Sequence, residues 1–359
     1  MRNRPNSLLA FALTCVGSFA VAPVAARQNT SGDNVPQVDE SLQKAPAAIP
    51  DPFAQITAGE TVLKKPDGTV DATYRYRLVE PLVEPRVEPR AEAIADPTSR
   101  PRATVPFVVF LHGSGERGSD NRAQLVHFAG ACAADEFQKK APCYVLAMQC
   151  PANETWCAID IRAMRERGET PKLAPEPTRA MRALMQAIDE VMATKAVDPT
   201  RVYLTGLSMG GFGAFDLAAR RPELFAAVVP ICGGGDPATA ATVARVPFYI
   251  VHGTDDPVVP VALSRAMREA IAGAAAEAAR ADRVKGDEKD RAKNREQNPG
   301  ATDGSASAPK PMPKRAPNPM YREYDKVGHD SWTPAYRFGD DGVLDWMFAQ
   351  RRESSPATP

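Results

Sequence analysis

Two hydrophobic periods alternate along most of the chain. Short runs of mainly β-branched and aromatic residues are too apolar to face water on either side, which is typical of strands in a parallel sheet covered on both faces. Helical patterns lie between them, and the clearest, over residues 177–195, places apolar side chains at three- and four-residue steps. We therefore expect an α/β fold with a mostly parallel sheet and helices on both faces. The runs predict strands over residues 105–111, 144–148, 202–205, 226–231, 246–251 and 321–324.

The first part of this region has another pattern. Residues 60–63 and 72–78 are strand-like and flank a Pro66-Asp67-Gly68 turn, which predicts an antiparallel hairpin at the N-terminal edge of the sheet. We expect a single α/β domain over residues 51–351. A Val-Glu-Pro repeat with a period of four residues indicates an extended, Pro-rich loop over residues 79–104.

The N-terminus has the pattern of an export signal. Arg2 and Arg4 precede an apolar run over residues 8–22 that ends in small residues, so we expect a signal peptide over residues 1–26. An uncleaved anchor is the alternative, but polar residues break the run, which falls short of the ~20 apolar residues that span a bilayer. The protein is therefore expected to be exported, to the periplasm or the cell exterior, without stable membrane insertion.

Three further segments are poor in large apolar residues. Residues 27–50 are expected to form a disordered linker and residues 352–359 a disordered tail. Residues 274–319 are rich first in Ala, Glu, Arg and Lys and then in Gly, Ser, Lys and Pro. Because they cannot bury enough surface to offset their ordering entropy, we expect a flexible low-complexity insertion within the domain.

Composition and charge exclude some functions. The chain has 359 residues, of which 43% are hydrophobic and 25% charged, as in globular proteins. Its 44 basic and 44 acidic residues balance, which removes the field that nucleic-acid binding normally needs, so no nucleic-acid partner is expected. The cysteines match no zinc spacing, and no metal or organic cofactor is expected. An odd number remains after the signal, most simply as buried small hydrophobes: Cys132, Cys143, Cys150, Cys157 and Cys232.

One strand leads into a candidate nucleophile. The strand over residues 202–205 is followed by Gly-Leu-Ser-Met-Gly-Gly at residues 206–211 and then by a helical pattern. A serine between glycines on a strand-to-helix turn is held with its hydroxyl exposed, and this context favours Ser208 as a nucleophile over a plain small-residue turn.

A serine nucleophile needs a base, and the chain has four histidines. His112 and His252 each end an apolar strand before a glycine, which suits structural imidazoles. His127 lies among apolar residues. Only His329 follows both the serine and a credible acid in the chain, so it is the expected base.

The base in turn needs a carboxylate to fix its tautomer. Asp255 and Asp256 stand just beyond the strand over residues 246–251, and one of them should turn inward. Asp216 is a rival, but it lies about 12 Å along the following helix from the serine, which is too far. The order serine, acid, histidine is that of α/β-hydrolases.

An oxyanion hole needs two backbone donors. Met209, after the serine, should supply one. The other is expected from the glycine-rich turn over residues 112–118, where we choose Ser114 and where Gly113 and Gly115 let the backbone approach a substrate closely. A phosphate-binding loop is the alternative, but the Lys-Ser/Thr ending of that motif is missing from this turn.

Four blocks, residues 112–118, 206–211, 252–260 and 328–332, resemble the signature motifs of the phospholipase/carboxylesterase branch of the α/β-hydrolases, especially its secreted predicted-peptidase and feruloyl-esterase-like members. The resemblance implies that the acid is Asp256, which directly precedes Pro-Val-Val-Pro. It extends to Met-Gln-Cys-Pro at residues 148–151 and implies that Trp156 lines the acyl or alcohol pocket. Trp332, which ends the last block, is also expected to contact substrate.

These observations predict a serine hydrolase that cleaves a small-molecule or carbohydrate-linked carboxylic ester through an acyl-enzyme. A peptidase of the same fold is one alternative. A non-catalytic binding module that retains the fold is another, since a fold alone does not establish activity.

Overall fold

The computed structural model describes residues 53, 55–82, 104–158, 164, 166–167, 171–297 and 318–353. Within these residues the strands form a single eight-stranded sheet in the order β1-β2-β4-β3-β5-β6-β7-β8. The first hairpin and the β2/β4 pair are antiparallel, and every other neighbouring pair is parallel. The strands are β1 (Thr57–Lys64), β2 (Val70–Val79), β3 (Val105–Leu111), β4 (Tyr144–Met148), β5 (Val197–Leu207), β6 (Ala227–Ile231), β7 (Tyr249–Gly253) and β8 (Met320–Tyr324).

Both faces of the central sheet are covered. Along β3, Phe107 and Val109 belong to one hydrophobic cluster, whereas Val108 and Phe110 belong to the cluster on the other face. This alternation follows from the two-residue period of a strand, and it explains why the sequence reads as continuously apolar. The mostly parallel sheet with two covered faces is confirmed.

Helices connect the strands on both sides. They are α1 (Ala129–Cys132), α2 (Asp135–Lys140), α3 (Arg179–Thr194), α4 (Met209–Arg220), α5 (Ala240–Val243), α6 (Val261–Gln297), α7 (Trp332–Ala335) and α8 (Leu344–Ala349). The start of α3 is fixed by Thr178, whose hydroxyl accepts a hydrogen bond from the backbone N–H of Met181. Its apolar stripe packs on one face of the sheet, as its spacing predicts.

The edge hairpin is also confirmed. β1 and β2 are antiparallel and joined by a turn in which Gly68 has a φ of +84°, a conformation that glycine adopts without strain. β2 then pairs antiparallel with β4, and so the hairpin extends the parallel sheet at one edge.

The first half of the expected flexible insertion is helical instead. Helix α6 continues through residue 297, although after Ala275 none of its described side chains is fully buried. The expectation considered only burial and neglected propensity. Ala, Glu, Arg and Lys are strong helix formers, and extending a helix that packing has already nucleated costs little. Arg245 also holds Asp282 of this extension through two contacts, of 2.8 and 2.7 Å.

Several expectations fall on residues outside those described. They concern the signal over residues 1–26, the linker over 27–50, residues 83–103 of the Pro-rich loop, residues 298–317 of the insertion and residues 354–359 of the tail. Arg352, which we placed in the tail, donates its backbone N–H to Thr200 O at 2.9 Å and so belongs to the folded part. No helix in the described ranges combines the length and apolarity needed to cross a membrane.

The five cysteines of the described ranges are all buried and unbridged. Burial raises the pKa of Cys143 and of Cys150 to about 12, so these thiols stay protonated. They pack as small hydrophobic side chains, as expected from the sequence.

Candidate active site

Ser208 lies on a sharp turn between β5 and α4. Its φ is +53° and its ψ is −120°, a region that side-chain-bearing residues rarely occupy. The turn is so tight that a Cβ at Gly206 would collide with the carbonyl of Gly210, and one at Gly210 would collide with the carbonyl of Leu111. The glycines are therefore needed for close backbone packing, and the serine is held at the carboxyl edge of the sheet.

His329 contacts the serine from the loop between β8 and α7. Its Nε2 lies 3.0 Å from Ser208 Oγ, and its Nδ1 lies 2.8 Å from Asp256 Oδ2. With a carboxylate at Nδ1, the neutral ring carries its hydrogen on Nδ1 and leaves Nε2 free to accept one. The structure thus brings together the three residues predicted as a triad, while their catalytic roles stay predictions.

The two adjacent acids have different environments. The carboxylate of Asp256 is inaccessible to solvent, and its Oδ1 accepts hydrogen bonds from the backbone N–H groups of Val258 and Val259. Burial alone would raise the pKa of Asp256, but hydrogen bonds from His252, His329 and these backbone groups outweigh it and hold the pKa well below its usual value. Asp255 is exposed. Asp256 is therefore the ionised partner of the histidine.

Two of the other three histidines, His112 and His127, have partners outside the group of Ser208, His329 and Asp256. His112 is buried, its Nε2 accepts the backbone N–H of Cys150 at 2.9 Å, and its Nδ1 donates to Gly113 O at 2.6 Å. Burial lowers the pKa of His112 to about 4, so the ring is neutral and tethers the turn after β3 to the end of β4. His127 lies 3.3 Å from Glu116 through Nε2. The hydrogen bonds of these two rings involve other residues than Ser208.

The two segments expected to form an oxyanion hole lie side by side. Met209 is the first residue of α4, where backbone N–H groups have no partner within the helix. Across from it, a Cβ at Gly113 would approach Ser208 Cβ to 3.6 Å, whereas one at Gly115 would meet open space. Ser114 begins a short 3₁₀ turn over Ser114–Glu116. The donor roles of Ser114 and Met209 stay predictions.

Comparison with known proteins identifies the fold. The profile of the Dienelactone hydrolase family matches residues 131–280. The crystal structure of a thermostable esterase aligns with 28% sequence identity and a TM-score of 0.56, over 83% of this chain and 64% of the esterase chain. The chain has the α/β-hydrolase fold. The sheet order and the strand-turn-helix at Ser208 agree with this assignment.

Curated relatives of this α/β-hydrolase match only parts of it. NocK of Nocardia uniformis subsp. tsuyamanensis, a protein named as an esterase, is 28% identical over 157 residues, which is 43% of this chain and 41% of NocK. The bifunctional acetylxylan esterase/xylanase XynS20E of Neocallimastix patriciarum is 35% identical over 82 residues, which is 23% of this chain and 12% of XynS20E. The chain therefore spans less than half the length of either relative.

Sequence reasoning gave no role to Gln149, which braces the turn over residues 112–118, called here the oxyanion turn because it is expected to form part of the oxyanion hole. Gln149 is buried at the end of β4, and its Nε2 donates to Glu116 O at 3.1 Å and to Asp120 Oδ1 at 2.8 Å. Its Oε1 accepts the backbone N–H of Asn121 at 2.7 Å. One carboxamide therefore holds the segment that follows Gly115. Its position in the Met-Gln-Cys-Pro motif, at the carboxyl end of a strand, was the available signal.

The expected role of Trp156 is wrong. Its side chain is fully buried, its Nε1 donates to His112 O at 3.1 Å, and its Cβ leaves no room for a side chain at Gly213 of α4. The ring fills the core beneath the oxyanion turn and offers no surface to a substrate.

Trp332 does lie at the candidate site of this hydrolase fold. Its half-buried ring stands edge-on to His329, with 5.4 Å between ring centroids, and 5.2 Å from His127. Contact with substrate stays a prediction.

Within the described ranges, one cluster of three His, Cys, Asp or Glu side chains is close enough together to be compared with a metal site, and it lies at the candidate active site. Ligand atoms of Cys232, Asp256 and His329 lie within 4.8 Å of one another. Asp256 and His329 already bond each other, and Cys232 Sγ lies 3.3 Å from Ser208 N as a hydrogen-bond acceptor. The hydrogen bonds of these side chains to one another and to Ser208 account for this clustering.

Proposed function

We propose that this α/β-hydrolase is an exported serine hydrolase that cleaves carboxylic esters through an acyl-enzyme formed on Ser208. One observation carries the proposal: an unbroken hydrogen-bonded chain runs from Ser208 Oγ through both nitrogens of His329 to Asp256, with distances of 3.0 and 2.8 Å. These are the distances over which a base removes a proton and a carboxylate orients the base.

Each group has a defined step. As Ser208 Oγ bonds to the ester carbonyl carbon, its proton passes to His329 Nε2, and the negative charge of Asp256 stabilises the imidazolium. The carbonyl oxygen becomes an oxyanion, for which the N–H of Met209 and a second N–H from the turn at Ser114 are the donors. The imidazolium then protonates the departing alcohol, leaving the acyl-enzyme. Water, deprotonated by His329, repeats the sequence and releases the acid.

The substrate class is a small-molecule or carbohydrate-linked ester. Support comes from the similarity to a thermostable esterase and to proteins named as esterases, one of which is an acetylxylan esterase. Assignment to the phospholipase/carboxylesterase branch is part of the same proposal, because its four motifs include each proposed catalytic residue.

Export rests on the N-terminal pattern alone. We expect cleavage after Ala26, so N-terminal sequencing of protein secreted from a host cell should begin at Arg27. Retention of Met1 in secreted protein would contradict the signal.

The decisive experiment compares Ser208→Ala with Ser119→Ala, which changes an exposed serine on the turn after β3. Wild-type protein and Ser119→Ala should hydrolyse short-chain aryl esters and react with a fluorophosphonate probe. Ser208→Ala should lose labelling and on the order of 10⁴-fold or more in kcat, since the nucleophile and base act as a unit. Ester hydrolysis that survives in folded Ser208→Ala would refute the covalent mechanism.

A further inference from the structure

His252 lies directly against the acid of the candidate site. It is in β7, and its side chain is fully buried. Its Nε2 lies 3.2 Å from Asp256 Oδ2 and 3.0 Å from Val259 O. The proposed mechanism makes no use of this second histidine.

The hydrogen on Nε2 can be assigned from its neighbours. Both are acceptors, a carboxylate and a carbonyl, so the Nε2 of His252 must carry a hydrogen and donate it. The other ring nitrogen, Nδ1, lies 2.7 Å from Ser264 Oγ, and that hydroxyl oxygen is 3.0 Å from Gly233 O. Because partners hold both nitrogens, the ring cannot turn away from Asp256 without leaving buried polar atoms unpaired.

Asp256 Oδ2 is therefore shared by two histidines. His329 Nδ1 lies at 2.8 Å and His252 Nε2 at 3.2 Å from the same oxygen. A second donor withdraws negative charge from this oxygen, and so it weakens the pull of Asp256 on the protonated form of His329. It also restricts rotation of the carboxylate, whose Oδ1 the backbone already holds.

We propose that His252 is a positioning residue that fixes the Asp256 carboxylate toward His329 and lowers the pH at which His329 takes up a proton. The proposal rests on the proposed function, because His329 acts as the base only if Ser208 is the nucleophile. A base that stays unprotonated to lower pH keeps the hydrolase active further into the acidic range.

Other charged and titratable groups surround this cluster, and all of them remain when only His252 is changed. From β8, Glu323 is the register partner of His252 and pairs with Arg265 of α6 at 2.7 and 2.6 Å. Cys232 follows the end of β6, and Asp255 and Asp330 lie next to Asp256 and His329 in the sequence. The His127–Glu116 pair lies on the other side of Trp332, whose ring contacts both His127 and His329.

Three replacements of His252 separate its donor from its volume. His252→Asn puts an amide near the position of Nδ1, which keeps a partner for Ser264 but removes the donor to Asp256. His252→Leu fills the space without a donor. His252→Gln carries its amide nitrogen to about the position of Nε2 and restores the donor.

The acid limb of kcat/KM for an aryl ester is the first readout. Without the donor, Asp256 keeps more negative charge and favours protonated His329. The limb should therefore shift to higher pH by roughly half a unit to one unit in His252→Asn and His252→Leu, with a several-fold loss of kcat. His252→Gln should return the limb to the wild-type position. If His252→Leu does not fold, the Asn and Gln pair makes the same comparison.

An NMR titration of the His329 imidazole gives a second readout that needs no turnover. Its midpoint should rise in the Asn and Leu variants by the same amount as the acid limb. Wild-type protein without esterase activity would refute the proposed function, yet this titration would still test His252. The role of His252 is refuted if the Asn and Leu variants lower only Tm and leave the acid limb of kcat/KM and the midpoint of the NMR titration unchanged. It is also refuted if His252→Gln shifts the acid limb and the midpoint as far as His252→Leu does.

Discussion

Asp256→Asn changes a carboxylate in which each of the two oxygens accepts hydrogen bonds from two donors. Oδ1 accepts the backbone N–H groups of Val258 and Val259 at 2.8 and 2.9 Å, and Oδ2 accepts from His329 and His252 at 2.8 and 3.2 Å. An amide has one acceptor oxygen, so its NH₂ group must face one of these two pairs of donors. Either orientation creates a conflict that the carboxylate does not have.

We expect the NH₂ group to face His329, because this histidine can change its tautomer. Backbone N–H groups cannot be reversed, whereas His329 can move its hydrogen to Nε2 and accept the amide at Nδ1. In that tautomer Nε2 donates toward Ser208 Oγ and cannot remove its proton. We therefore expect kcat to fall ~10⁴-fold, the loss that this tautomer change causes in other Ser-His-Asp sites, equivalent to about 5.5 kcal/mol.

The assay is steady-state hydrolysis of an aryl ester by the wild type, Asp256→Asn and the matched variant Asp255→Asn, with circular dichroism to show that each is folded. Asp255 is exposed, and its carboxylate contacts the hydroxyl of Thr254 at 3.1 Å, so its variant should stay within a few-fold of wild type. Equal losses in the two variants would refute the reasoning. So would a folded Asp256→Asn that keeps more than about a hundredth of the activity.

Four further outcomes follow from the contacts described above. His329→Ala should be nearly as damaging as loss of the nucleophile, while His127→Ala should stay within a few-fold; the reverse order in the same kinetic assay would overturn the choice of base. Gln149→Leu removes three hydrogen bonds that brace the oxyanion turn and should lower kcat by ~10–10²-fold with a smaller change in KM, so an unchanged kcat would contradict the bracing role. Trp156→Phe should lower Tm and leave KM unchanged, because the ring is in the core. A tenfold rise in KM in folded protein would instead show that Trp156 contacts the substrate. Urea unfolding should show a smaller stability difference between wild type and Asp256→Asn at pH 3 than at pH 7. Burial raises the pKa of Asp256 in the folded state, but the hydrogen bonds lower it by more, so its net pKa lies below the unfolded value. The ionised carboxylate therefore stabilises the fold above about pH 4, and this stabilisation is lost as the pH falls further. An equal stability difference at both pH values would contradict this.

The sheet and the triad geometry could be predicted because each leaves a local signal. Buried parallel strands such as β3 read as continuous apolar runs, and Ser208 lies between glycines that the tight turn requires. The candidate base, His329, could be chosen by elimination among four histidines. The choice between Asp255 and Asp256 needed the resemblance, since two neighbouring acids present the same pattern.

Two of the features that the sequence did not predict depend on how the chain folds back on itself. Trp156 follows a motif at a strand end, but whether its ring turns into the core depends on space beside Gly213, 57 positions later in the sequence numbering. The contact of His252 with Asp256 depends on how the turn after β7 folds back. The extension of α6 was missed for another reason, because helix propensity and burial gave opposite indications there and burial was followed.

The five buried, unbridged cysteines can be used to measure local unfolding in different parts of the folded protein. The cluster that contains Phe107 and Val109 includes Cys150, and the cluster on the other face of the sheet includes Cys132, Cys143 and Cys232. Cys157 belongs to a third, smaller cluster with Phe212 and Val259. A buried, protonated thiol reacts with a disulfide reagent only when its surroundings open, so the labelling rate of each cysteine measures the free energy of that local opening. Cys232, whose sulfur lies 3.3 Å from the backbone nitrogen of Ser208, would report how often the turn that holds Ser208 opens.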